Sequence, residues 1–214
     1  MGMSDLSPFS ALMHRKVLCV VTVLGLAGLL TMGCSPRGTA DDTEAPEEQY
    51  EELSFEVNEE LLQDELVLDE LGVAYRIPEG WQELDEEHRE VFRAQVYPLL
   101  HGDDNAELLS VYLDPMSGSL YVFTALDDGA ETGASAARKR HEEAGYELEY
   151  TEFRKDRFVV RQLLFQTGNT VVFRLFFSGP PVDEEFEVSF LIPYAGYEAA
   201  ARVIESAIGA IDEV

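Results

Sequence analysis

FVVRQLLFQTGNTVVFRLFF, Phe158 to Phe177, is the stretch that decides the fold. Thr167-Gly168-Asn169 interrupts it with a compact turn signal, and the residues on either side alternate with period two. The segment therefore predicts a hairpin of two strands, 158–166 and 170–177. Its apolar groups are not confined to one face. Val159, Leu163 and Phe165 oppose Val160 and Leu164, and Phe176 opposes Phe177, which is the pattern of strands covered on both sides. Phe186, Val188, Phe190 and Ile192 continue it in a further strand. A strand buried on two faces needs a layer above it and a layer below. Tyr197, Ala200, Ile204, Ile208 and Ile211 recur at helical spacing and supply one of those layers.

Upstream, Glu65 to Asp69 and Val73-Ala74-Tyr75-Arg76-Ile77 read as a hairpin around Glu70-Leu71-Gly72, ended by Pro78-Glu79-Gly80-Trp81. Asp85 is placed to cap a short helix through Val96 that stops near Pro98. Leu108 to Leu113 and Ser119 to Leu126 predict two strands joined through Asp114-Pro115-Met116-Ser117-Gly118. Thr132 to Ala144 predicts a mostly polar helix with alanines on its inner face, ended by Gly145. The fold class is α+β: an antiparallel sheet with helices on both faces.

This order of elements resembles the PsbP-like fold, an αβα sandwich found in the extrinsic photosystem II subunit and in bacterial lipoproteins. The carrying features are Val73 to Trp81, the acidic helix after it, the late run of three strands, and the C-terminal helix holding Val203, Ile204 and Ile208. The resemblance covers most of Glu65 to Val214. It implies a non-enzymatic module that binds or stabilises a larger membrane-associated complex, and it does not imply photosynthesis.

The N-terminal segment gives an address. Met13-His14-Arg15-Lys16 is a basic n-region, Val17 to Met32 an uncharged h-region, and Gly33 a small residue before Cys34. Leu30-Thr31-Met32-Gly33-Cys34 resembles the lipobox of bacterial lipoproteins, with Thr31 where leucine is commonest. The resemblance implies a diacylglyceryl group on the Cys34 thiol, cleavage before it, and fatty acylation (palmitate) of the new terminus. The h-region falls short of the ~20 residues that cross a bilayer. A signal starting at Met13 is more compact than one starting at Met1, which would place Asp5 ahead of the basic pair. Ser35 to Glu52 is acidic, contains Pro36 and Pro46, and has no aliphatic side chain larger than alanine, so it reads as an extended tether. The expected organisation is a signal peptide over 1–33, lipidated Cys34 and tether over 34–52, and one domain over 53–214. Ser35, a non-aspartate after the lipidated residue, permits outer-membrane sorting under the enteric rule.

Composition narrows the function classes. The formal net charge is −27. A surface this acidic repels phosphate backbones, which are bound through Lys and Arg, so nucleic acid is excluded as a partner. Beyond the signal, lysine occurs only at Lys139 and Lys155. That balance resembles proteins of halophilic bacteria, and an acidic envelope protein of a high-GC genome gives it equally. The chain has two cysteines. Cys19 lies in the signal and Cys34 carries the lipid, so the domain has no disulfide, no thiolate metal site and no cysteine nucleophile.

No motif completes a catalytic set. His141-Glu142-Glu143-Ala144-Gly145 begins like the zinc-protease helix, but Gly145 stands where the second histidine belongs, leaving His141 as a solvated helix end. His88 sits among Asp85, Glu86, Glu87 and Glu90, neighbours that raise an imidazole pKa. His101 leads into Gly102-Asp103-Asp104-Asn105, a loop without calcium-hand spacing. Gly133-Ala134-Ser135-Ala136-Ala137 lacks the last glycine of a nucleophile elbow, so Ser135 reads as an ordinary helix residue. Asp127-Asp128-Gly129 and Asp183-Glu184-Glu185 are carboxylates that counterions satisfy without a dedicated site. Arg138-Lys139-Arg140 and Arg154-Lys155-Arg157 are the dense basic spots, the first explained by a helix C-terminus. Trp81 reads as a buried residue beside a turn.

The expectation is a lipid-anchored, non-catalytic interaction or assembly factor of the cell envelope, with a membrane and an envelope protein as partners, no catalytic residue, no metal and no cofactor. The alternatives are a carboxylate-based hydrolase of the envelope and a cation-responsive binding lipoprotein.

Overall fold

Thr167 to Thr170 closes the hairpin as expected, and the two strands it joins are the middle of a wide sheet. The structure is a computed structural model and describes residues 50–101, 106–179 and 185–214. Cys34, the signal segment and the tether up to residue 49 lie outside them, as do Asp103, Asp104, Asp183 and Glu184.

In chain order the strands are β1 (Glu51–Glu52), β2 (Leu62–Leu68), β3 (Val73–Pro78), β4 (Gln82–Glu83), β5 (Ala106–Leu113), β6 (Leu120–Leu126), β7 (Leu148–Lys155), β8 (Phe158–Thr167), β9 (Thr170–Ser178), β10 (Phe186–Pro193) and β11 (Asp212–Glu213). The helices are α1 (Glu86–Gln95), α2 (Tyr97–His101), α3 (Ala130–Glu143) and α4 (Tyr197–Gly209). Eight strands form one sheet in the order β1-β7-β8-β9-β10-β6-β5-β4, and β11-β3-β2 form a second. The expected α+β class, a large antiparallel sheet with helices on both faces, is what the chain adopts, and two features go beyond it. The first hairpin leaves the main sheet to build its own, and β1 joins β7 in parallel, with Glu51 opposite Phe153. That pairing begins inside the stretch read as tether.

One face of the large sheet carries Tyr121, Phe123, Phe158, Val160, Leu175, Phe177, Phe186, Val188, Phe190 and Ile192. It is closed by β3, through Val73, Tyr75 and Ile77, and by α4, through Ile204, Ala207 and Ile208. Period two in the strands and period 3.6 in the helix bring these groups together. The opposite face is covered in two places. Phe92 of α1 and Leu100 of α2 pack with Leu108, Val111, Val122, Phe165 and Val172. Ala130, Ala134 and Ala137 of α3 pack on Leu163 and Phe176.

Local signals explain the helix limits. Asp85 accepts a hydrogen bond from the His88 N–H and caps α1, as expected. Pro98 does not end the helical region. It falls in the first turn of α2, where its missing N–H has no partner to lose.

Candidate functional site

The face of the large sheet beneath α1, α2 and α3 contains the cluster that periodicity did not foresee. Arg174 on β9 lies opposite Ser189 on β10, and Glu187 lies one pair along on the same face. Arg174 donates from Nε and Nη2 to the two carboxylate oxygens of Glu187, each at 2.7 Å. This is a bidentate ion pair with both side chains 1% exposed. Ser189 Oγ adds a hydrogen bond to the same carboxylate. Arg174 Nη1 donates to the Leu100 carbonyl at 2.7 Å and faces His141 Nε2 at 3.3 Å. Arginine has no acceptor, so His141 Nε2 accepts and its ring is neutral, with the proton on Nδ1. His101 Nδ1 lies 3.8 Å from Glu187 Oε2, and its ring stacks on Tyr97 with centroids 4.3 Å apart.

Burial opposes charge on Glu187, but Arg174, His101 and Ser189 outweigh it and hold the carboxyl down to about 2. His141 moves the other way for an imidazole: burial, then the Arg174 and Arg140 charges, depress it to about 4. The cavity beside this cluster measures about 40 Å³. Both carboxylate oxygens of Glu187 and all three guanidinium nitrogens of Arg174 thus have partners inside the fold. A general acid needs a carboxyl pushed up, and Glu187 is pushed down.

The larger concavity is an open groove of about 580 Å³, lined by Leu62, Leu66 and Asp64 of β2, Ile77 of β3, the Glu79-Gly80-Trp81 turn and Gln82 of β4. Both strands that flank it are terminal in their sheets, β2 in the small one and β4 in the large one. The turn that leads from β3 into β4 is fixed. Trp81 N–H bonds the Pro78 carbonyl at 3.1 Å with Gly80 at φ +80°, the positive angle of a type II turn. Gln63 Nε2 donates to the carbonyls of Pro78 and Trp81, each at 2.9 Å. Trp81 and Ile77 are buried in the floor, whereas Leu66 is 38% exposed at the rim.

The residues singled out in the sequence scatter. Cys34, Asp103, Asp104, Asp183 and Glu184 lie outside the described residues. His141 is a correction: it is 3% exposed, because it follows Ala130, Ala134 and Ala137 on the inner face of α3, and its ring packs on Phe165 at 4.2 Å. His101 ends α2 and is buried. His88 stays exposed on α1, where its hydrogen bond to Asp85 raises its pKa. Ser135 is an exposed helix residue, as read. Asp127 and Asp128 precede the capping Gly129, and the first N–H of α3 is bonded by Glu185.

The second basic spot dissolves. Lys155 is buried, donating to the Ile211 carbonyl and to Asp156, each at 2.7 Å, and Arg157 pairs with Glu213. In the first, Arg138 pairs with Glu142 and Arg140 donates to the Leu100 carbonyl. Among the described residues no three His, Cys, Asp or Glu side chains gather as a metal ion would need.

The class defined by this architecture is an α+β sandwich of two sheets, and comparison with known proteins adds likeness of fold. The chain is similar to the solution structure of cyanobacterial PsbP (CyanoP) from Synechocystis, at 11% identity and a TM-score of 0.49, covering 72% of this chain and 92% of that one. It is also similar to the crystal structure of the Ran-binding protein Mog1p of Saccharomyces cerevisiae, at 9% identity and a TM-score of 0.41, covering 71% of this chain and 95% of that one. No family model and no curated protein sequence matches the chain.

Proposed function

We propose that this protein is a lipid-anchored, non-catalytic interaction or assembly factor of the cell envelope, tethered through a diacylglyceryl group on Cys34. The observation that carries the interaction role is the groove between β2 and β4. It is wide, floored by Trp81 and Ile77, and flanked by terminal strands of both sheets. The buried Arg174–Glu187 pair, by contrast, closes on itself and serves the fold. Anchoring rests on the lipobox, and the acidic tether holds the domain off the lipid surface. Partner and process follow from the same experiment.

The test is crosslinking of the protein in intact envelopes followed by mass spectrometry, with Cys34→Ala as control and the mass of the N-terminal peptide read in parallel. The expected result is a diacylglyceryl-modified Cys34 and a stoichiometric partner that is lost with the anchor. An unmodified Cys34 ends the lipoprotein reading, and the absence of any reproducible partner ends the assembly reading.

A further inference from the structure

We propose that the groove takes an extended, cationic segment of a partner protein, which adds as a strand along β2 and sets an apolar side chain over Trp81. This inference rests on the interaction reading above and names the chemistry of the partner. A terminal strand presents a row of N–H and C=O groups that a further chain can pair with. β2 runs from Leu62 to Leu68, pairs only with β3 among the strands of its sheet, and is largely exposed beyond Gln63. Natural edge strands are blunted by charged side chains, above all lysine, by proline, by bulges or by a covering element; β2 carries a bulge and the carboxylates of Asp64 and Glu65, which deter an acidic strand and attract a cationic one. β2 has no lysine or proline, and its Leu66 and Val67 are 38% and 46% exposed. Its register shifts between Leu62 and Glu65, where Gln63 holds the Trp81 turn through the Pro78 and Trp81 carbonyls.

Charge selects the occupant. Asp64 and Glu79 line the groove, with Glu65 beside them on β2, while Glu83 on β4 is already paired with Arg89 at 2.9 Å; of the basic residues only Arg76, opposite Glu65, lies on the paired strands. A second copy of this chain would bring the same carboxylates against them. The chain's own acidic tether would do likewise. A segment that alternates Lys or Arg with Val, Leu or Ile satisfies the rim with one face and the floor with the other, as period two in a strand requires.

Trp81 is the single tryptophan of the chain, so its emission reports on the groove directly. The probe is a synthetic peptide alternating lysine and valine, matched to the seven residues of β2, titrated into the protein as purified from membranes in detergent. At ~0.15 M salt the ~8 Å Debye length suppresses diffuse attraction. The expected result is a saturable change in Trp81 emission. Affinity should fall at least tenfold when alternate peptide amides are N-methylated at unchanged charge, and at least tenfold in the exposed double variant Asp64→Lys/Glu79→Lys. Equal binding by the methylated peptide would overturn strand addition in favour of counterion attraction. Emission that changes with protein concentration alone would give the groove to a second copy and overturn it too. No response to the peptide, while envelope crosslinking still yields a partner, would remove this docking mode and leave the interaction reading intact.

Discussion

On one face of the large sheet, Phe177 lies flat on Phe186, with ring centroids 4.7 Å apart and planes 3° from parallel, and Phe158 meets both edge-on. On the other face of the same two strands, Arg174 grips Glu187. Each arrangement is sealed from solvent, but they differ in what a defect leaves behind. The aromatic face loses contacts and area when a ring is cut away, a cost set by the cavity. The ionic face loses compensation, because a buried charge without its partner retains its desolvation penalty. The Arg174–Glu187 pair therefore brings a pH dependence that the Phe177–Phe186 stack does not.

The largest effects break the comparison open at a single residue on each face. Glu187→Ala leaves Arg174 buried without its carboxylate, and urea unfolding at neutral pH should show a loss of ~3–5 kcal/mol. Phe177→Ala should cost a similar ~3–5 kcal/mol through its cavity. Acid separates them. Glu187 has a folded pKa near 2 against an ordinary 4.5, so its contribution is full above the unfolded value and is lost as pH falls through the folded one. The cost of Glu187→Ala should shrink below about pH 4 while that of Phe177→Ala holds. Parallel decline of both would show that the ion pair contributes nothing of its own.

Next in size is the histidine of the ionic face. His141 titrates near 4 when folded and near 6.5 when unfolded, so between those values the unfolded chain binds the extra proton and stability falls as pH is lowered. His141→Phe, which keeps a ring against Phe165, should flatten the stability profile across that window, a difference of about 3 kcal/mol at its acid end. An unchanged slope between pH 6.5 and 4 would assign the acid sensitivity elsewhere.

How legible each face was follows from the same contrast. The alternation of Phe186, Val188, Phe190 and Ile192 is a local pattern, and it correctly aimed those side chains at one apolar layer. Arg174 and Glu187 interrupt such patterns one residue at a time. Their meaning depends on the register of β9 against β10, a long-range fact no window along the chain contains. The spacing of Ala130, Ala134, Ala137 and His141 did place the histidine inward, but reading it as a motif fragment hid that signal. The groove was illegible for another reason. It exists because the first hairpin forms its own sheet and leaves β2 and β4 as terminal strands of two different sheets, which alternation within either strand cannot specify. The Pro78 to Trp81 turn was read, but not that it floors a cleft.

The smallest effects test how tightly the two helical covers sit. α4 closes the aromatic face, and a Cβ on Gly209 would stand 2.8 Å from Val57 Cγ2 and 2.9 Å from Phe55 Cβ. Phe55 Cβ is anchored to the backbone and cannot turn aside. Gly209→Ala should therefore cost ~1–3 kcal/mol by overpacking, although alanine favours the helix. α3 covers the ionic face, and there a Cβ on Gly133 would meet the Phe176 ring at 3.5 Å, an ordinary contact. Gly133→Ala should gain roughly 0.5–1 kcal/mol, since it removes backbone freedom from the unfolded chain and fills space beside the polar cavity. The signs are opposite for the same substitution in two helices. If thermal melts show Gly133→Ala to be as damaging as Gly209→Ala, then α3 is packed as closely as α4. The alanines of its inner face would then set a close helix-to-sheet distance, with no spare room left above the ion pair.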